Sequence, residues 1–191
     1  MTPELPKKKY DIIYADPPWL YYGDPNKDQA AGKHYSCMTE HELCGLSVQS
    51  ICREPTVLFL WSTSPMLQEA IGVMNAWGFY YFGVAYVWVK TAKDGHIING
   101  QGVRPSFTKS TTEYVLAGST QKKGRTFPIL NEGQAQVVLA QRGEHSEKPA
   151  VVRDRIIELL GDRPRIELFA RQHVAGWDAW GLEADGKGGS K

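Results

Sequence analysis

The sequence predicts an α/β protein built on one sheet, mostly parallel, with helices on both faces. Three observations predict it. Short apolar runs of strand length alternate along the chain with amphipathic patterns of helical period. The runs are close to continuously apolar, as strands buried on both faces require. The chain has 191 residues, 42% hydrophobic and 23% charged, the size and composition of one ordinary globular domain.

The elements follow in order. Residues 10–15 (YDIIYA) form an apolar run that ends at Asp16-Pro17-Pro18-Trp19. Residues 39–52 read as a helix opened by Thr39 as N-cap, with Glu42 at the third helical position, the spacing of a capping box. Residues 57–61 (VLFLW) read as a buried strand. Met66, Leu67, Ala70, Ile71, Met74 and Trp77 recur at helical spacing, and Gly78 supplies the stop. Residues 79–89 are aromatic and β-branched, which predicts a long strand. Residues 113–117 (EYVLA) predict another, and 137–140 a weaker one. Pro149, at a first helical position, precedes the apolar face of Val151, Val152, Ile156, Ile157, Leu159 and Leu160, which Gly161 closes. Residues 165–169 (RIELF) give the last short strand.

Charge narrows the function classes. Lysine and arginine total 22 against 21 acidic residues, which excludes a histone-like polycation or an acidic tail protein. The balance is uneven, however. Residues 90–125 hold seven basic residues against Asp94 and Glu113, and are rich in Gly, Ser and Thr. This stretch reads as a long positive loop inserted in a single domain of residues 1–183, with 184–191 as a disordered tail. The longest apolar stretch, residues 82–89, falls far short of the ~20 residues a membrane span needs. Pro3, Glu4, Pro6 and Lys7 to Lys9 occupy the place of a secretory apolar core, so a cytoplasmic location is expected. Cys37, Cys44 and Cys52 have no paired spacing and read as reduced thiols. With only His34 and His41 nearby, no metal site is expected.

In sheets of this kind ligands bind beyond the carboxyl ends of the strands. Residues 16–19 and 170–177 both lie at such ends and are candidates for opposite sides of one cleft. Asp16-Pro17-Pro18-Trp19 reads either as a turn or as a site. Two prolines hold the chain near one conformation and remove two backbone donors. What is left is a carboxylate, fixed carbonyls and a flat aromatic. That set suits an amino group on a heteroaromatic ring: Asp16 and the Pro17 carbonyl each accept one N–H, and Trp19 stacks. The exocyclic nitrogen of adenine is a poor nucleophile because its lone pair is delocalised. Two acceptors on its hydrogens favour the charge that develops as it attacks.

Further motifs follow in order: YADPPW at 14–19, HYSCM at 34–38, LFLWST at 58–63, WGF at 77–79, WVKT at 88–91, EKP at 147–149, IELFAR at 166–171 and GWDAWG at 176–181. Together they resemble the adenine-N6 methyltransferase family that includes the catalytic subunit of the eukaryotic mRNA adenosine methyltransferase. The likeness is closest to its compact prokaryotic and phage members, and it covers residues 10–183.

The resemblance implies a circularly permuted Rossmann-like fold, with the catalytic half first and the half that holds S-adenosyl-L-methionine last. It implies Asp16, Pro17, Pro18 and Trp19 as catalytic residues. It also implies Asp16, Lys148, Phe169, Arg171, His173 and Glu183 as cofactor contacts, Lys148 pairing with the methionine carboxylate and Glu183 with the ribose hydroxyls. Residues 90–125 correspond to the family's variable target-recognition region. Lys90, Asn99, Arg104 and Lys109 are its candidate substrate contacts, with Tyr21, Tyr22 and Tyr35 beside the DPPW turn to stack on a flipped base. The implied partner is nucleic acid, DNA ahead of RNA, with no membrane. A homodimer stays open. Two alternatives stand beside DNA adenine methylation: an RNA adenosine methyltransferase, and a nucleic-acid-binding member without activity, for which Leu182 in the ribose-binding motif speaks.

Overall fold

The computed structural model describes residues 3–20, 37–98, 107–143 and 147–181. Its strands are β1 (Tyr10–Ala15), β2 (Cys52–Ser62), β3 (Tyr80–Thr91), β4 (Thr112–Ser119), β5 (Val137–Gln141), β6 (Arg165–Leu168) and β7 (Asp178–Trp180). The α-helices are α1 (Glu40–Cys44), α2 (Leu67–Ala76) and α3 (Ala150–Leu160). The strands form one sheet in the order β5-β3-β4-β2-β1-β6-β7. All neighbours pair in parallel except around β4, which runs antiparallel to β2 and β3.

The chain therefore enters at the middle of the sheet. It builds outward through β2 to β5, then returns through α3 to lay β6 and β7 on the other side of β1. This is the permuted Rossmann-like α/β arrangement. The strand order reverses between β1 and β6, where such sheets open a ligand crevice.

Side-chain alternation along the strands feeds two cores. On one face Ile13, Ala15, Leu58, Leu60, Leu116, Ile166 and Leu168 pack against α1 and α2. On the other, Ile12, Tyr14, Phe59, Trp61, Tyr86, Trp88 and Val115 pack against Val152, Ile156 and Leu160 of α3. Here the aromatic rings form a row across the sheet, Trp88 to Trp61 at 6.0 Å, Trp61 to Tyr14 at 6.4 Å and Tyr14 to Trp177 at 5.6 Å between centroids. The buried Trp61 indole donates to the Tyr14 hydroxyl at 2.6 Å, so its polar edge is satisfied.

Four details differ from the sequence-based expectations. The capping box of Thr39 and Glu42 is present, but α1 ends at Cys44. Gly45 caps it, and a separate 3₁₀ turn covers Val48–Ile51. Pro149 is the N-cap of α3 rather than its first helical residue, with ψ 128°. The short strand expected over residues 165–169 stops at Leu168, because Phe169 takes a left-handed backbone with φ 61°. Finally, residues 90–125 are not one loop. β4 lies inside them, between β2 and β3, and sends the two ends of the segment to opposite ends of the sheet.

Candidate active site

β1 and β6 pair in register up to Ala15 opposite Leu168, so both strands release their chains at the same level. Asp16 follows directly, and its N–H still donates to the Leu168 carbonyl at 3.4 Å. The next three residues are locked from both sides. Trp19 N–H donates to the Pro17 carbonyl at 2.9 Å, Met38 N–H to the Pro18 carbonyl at 2.8 Å, and Leu20 N–H to the Met38 carbonyl at 3.1 Å. The Pro17 oxygen keeps a second lone pair for another donor.

Trp19 does not stand as an open slab. It is 6% exposed, packs into the core, and its Nε1–H donates to the Trp61 carbonyl at 3.1 Å. In this conformation it pins the turn to β2, a positioning role in place of the expected stacking on a base. The physical reason is that an indole with a reachable backbone acceptor gains both burial and a hydrogen bond by turning inward.

Above the aromatic row runs a chain of alternating charges. Lys90 Nζ lies 2.5 Å from Glu113 Oε1, Lys148 Nζ lies 3.3 Å from Glu113 Oε2, and the same ammonium lies 2.9 Å from Asp16 Oδ1. Lys90 sits 5.1 Å from the centre of the Trp88 ring and Lys148 5.4 Å from that of Trp61, where the ring faces favour a cation. Asp16 and Lys148 side chains are only 16% and 12% exposed, so water screens the pair poorly.

The titration of the three central groups follows from these neighbours. Burial pushes the Asp16 carboxyl above the usual aspartate range, and the attraction of Lys148 offsets this only in part. Burial opposes the charge on Glu113 too, but ammonium groups on both sides hold its carboxyl below the usual range. Burial likewise works against the Lys148 ammonium, and Asp16 and Glu113 together outweigh it and raise its pKa. The neighbours thus favour the charged forms of Lys148 and Glu113, and of the three groups only Asp16 is shifted toward its neutral form.

Behind this row α3 is tied to β6. Arg153 Nη1 donates to both oxygens of Glu167, at 3.2 and 3.1 Å, and the two side chains are 10% and 12% exposed. The half-buried Arg171, on the loop after β6, interacts electrostatically with both Asp16 and Glu167. Among the described residues, no group of three or more His, Cys, Asp or Glu is placed to hold a metal ion.

The family model described as MT-A70 matches residues 10–183. The chain belongs to the MT-A70 family. It is similar to the type II methyltransferase M.MunI of a Mycoplasma species, with 37% identity over 199 residues, covering 95% of this chain and 80% of that protein. The human N(6)-adenosine-methyltransferase catalytic subunit METTL3 is 27% identical over 180 residues, 93% of this chain and 29% of METTL3. The N6-methyladenosine RNA methyltransferase MTA1 of Pyricularia oryzae is 26% identical over 187 residues, 90% of this chain and 46% of that protein. This MT-A70 chain thus spans less than half the length of those two eukaryotic relatives.

Within this MT-A70 domain the structure brings Asp16, Pro17, Lys148, Phe169 and Arg171 to the crevice between β1 and β6. Phe169 is half-buried with its ring 5.3 Å from that of Trp180, and His173 is exposed on the same loop. Lys109 is exposed just before β4. Lys90, expected as a substrate contact, is paired with Glu113 in the structure. Tyr21, Tyr22, Tyr35, Asn99, Arg104 and Glu183 lie outside the described residues. Sequence reasoning missed Glu113. Its only signal was a charged residue opening an otherwise apolar run, EYVLA, which a sheet tolerates when the charge is paired.

Proposed function

We propose that this chain transfers the methyl group of S-adenosyl-L-methionine to the exocyclic N6 amine of adenine in DNA. The observation that carries the reading is the Asp16–Lys148 pair, 2.9 Å apart and poorly screened by water, beside the β1–β6 crevice. The head group of an amino acid bears one ammonium and one carboxylate. A lysine and an aspartate already facing each other fit it, because each can exchange its partner for the matching charge of the ligand and neither is left unpaired. When bound, the donor supplies an electrophilic methyl group on a positively charged sulfur. The reading assigns Phe169, Arg171, His173 and Glu183 to its nucleoside half.

The remaining work falls on the chain's own residues. Asp16 and the Pro17 carbonyl accept the two N–H bonds of the target amine, which localises the nitrogen lone pair and favours the positive charge that develops on it. Two prolines and three backbone hydrogen bonds hold these acceptors still, so little reorganisation is needed. The excess proton leaves through the Asp16 carboxylate to water, a step to which its raised pKa is suited. Tyr21, Tyr22 and Tyr35 are the stacking candidates for an extruded base, and Asn99, Arg104 and Lys109 the candidates for contacts to the nucleic acid.

DNA is favoured over RNA by the likeness to a type II methyltransferase across 80% of that protein's length. The adenosine-methyltransferase names among the other relatives favour RNA as the second reading. A cytoplasmic setting in a bacterial or phage-infected cell accords with DNA. The test is transfer of tritiated methyl groups to DNA with and without adenine, and to RNA of matching sequence. Asp16→Ala is expected to lower incorporation into adenine-containing DNA at least about 100-fold. Equal incorporation by the variant removes Asp16 from the reaction, and higher incorporation into RNA selects the second reading.

A further inference from the structure

At the end of the sheet opposite the charged row, the first half of β3 lies open. β5 pairs with β3 only from Val87 to Thr91, so no described strand covers the outer side of residues 80–86. Three consecutive aromatic residues lie on this open stretch, Tyr80, Tyr81 and Phe82, exposed by 45%, 39% and 48%. Exposed aromatic clusters of this size mark interaction surfaces more often than accidents of packing.

One lysine stands beside Tyr80, and a second follows it in the chain. Lys122 and Lys123 follow the end of β4, both exposed, and Lys122 Nζ lies 5.9 Å from the centre of the Tyr80 ring. Among the described residues neither lysine is paired with a carboxylate, whereas the next cation, Arg125, is neutralised by Glu132 at 2.7 Å. The backbone disfavours a partner β-strand as the occupant. Register shifts between Tyr81 and Gly83 and between Val84 and Tyr86 interrupt the ladder, and Gln136 Nε2 already donates to the Val84 carbonyl at 2.6 Å. Side chains must therefore make the contact. Ammonium groups without a carboxylate partner among the described residues are what phosphates require, and the exposed rings beside them can pack against the sugars of the duplex backbone.

We infer that this edge is a second contact surface for the DNA substrate, holding the stretch that flanks the target adenine. The inference rests on the proposed reading that DNA is the substrate. Through Leu60 and Leu116, Ala15 at the foot of the catalytic turn is level with Val84, so Tyr80 lies three to four residues along the sheet and three strand spacings across it, ~18 Å away or about 5 base pairs of duplex. Only substrates reaching at least that far beyond the target adenine engage both places.

The test compares Lys122→Gln/Lys123→Gln and, separately, Phe82→Ser with the wild type. All three residues are exposed and lie outside the catalytic crevice, and thermal melts check folding. Binding is read by fluorescence anisotropy on two duplexes, one with about 4 and one with about 20 base pairs on each side of the adenine. The wild type is expected to bind the long duplex roughly tenfold more tightly. The double variant is expected to lose that advantage while binding the short duplex unchanged. Its salt dependence on long DNA is expected to weaken by about two phosphates, a slope change of ~1.8. Phe82→Ser is expected to lose part of the same advantage. A long-duplex advantage that is absent in the wild type, or retained in the double variant, overturns the inference. Absence of methyl transfer on both duplexes defeats the substrate reading separately, because the anisotropy comparison does not depend on turnover.

Discussion

Glu113 stands between two ammonium groups, and neutralising it changes what each of them does. On the proposed reading, Asp16 must be ionised in the wild type to stabilise the positive charge developing on the amine and to take its excess proton. Activity is therefore present above the Asp16 pKa and lost as pH falls through it, at a pH above the ordinary aspartate value of about 3.9. Glu113→Gln removes a negative neighbour of Asp16 and leaves Lys148 to Asp16 alone. Both changes favour the ionised Asp16, so the acid limb of the kcat/KM profile is expected to move to lower pH. The KM for the methyl donor is expected to rise roughly tenfold, since Lys148 would be drawn closer to Asp16 and away from the ligand. A limb that stays in place would remove the coupling between these carboxylates. Glu113 also stabilises the fold above the unfolded glutamate pKa, and that contribution is lost as pH falls through its lowered folded value. Asp16 and Lys148 were legible from their motifs. Glu113 was not, because its partner Lys90 is 23 residues away and Lys148 farther still, and only the sheet joins them.

At the scale of elements, local chemistry was read well where it acts over three or four residues. Thr39 Oγ1 accepts from Glu42 N–H at 3.2 Å and Glu42 Oε2 accepts from Thr39 N–H at 2.8 Å, as their spacing predicted. With five residues, α1 depends on this cap more than a long helix would. Thr39→Ala is expected to cost about 1 kcal/mol, measured by urea denaturation. Element ends were less legible. The helix expected to reach residue 52 stops at Gly45, where a residue with no side chain gives the helix too little to bury. β7 escaped notice altogether, since three residues are too few to show a period.

Over the whole molecule, β1 is the strand on which the two halves of the sheet meet. It pairs with β2 on one side and β6 on the other, so the two halves of the chain share their central strand. The Arg153–Glu167 pair strengthens the return crossover by tying α3 to β6. Arg153→Ala takes from Glu167 its hydrogen-bonded partner and leaves it the weaker attraction of Arg171, and is expected to cost about 2 kcal/mol and lower Tm by roughly 4–8 °C. Because the halves share β1, circular dichroism and tryptophan fluorescence are expected to report one coincident transition. Two separate transitions would show that the halves unfold independently.

The amino-acid sequence by itself determined which segments become strands and helices, and which short motif offers acceptors to an amine. Period, caps and the stiffness of two prolines act within a few residues of one another. Tertiary structure alone decided the rest. Asp16, Glu113 and Lys148 meet because strand order brings distant segments to one end of the sheet, where low exposure makes their charges strong. The positive segment 90–125 divides because a strand runs through it, leaving Lys90 at one end and Lys122 at the other. Charge adds up along a chain, but it acts through space, and only the path of the backbone sets those distances.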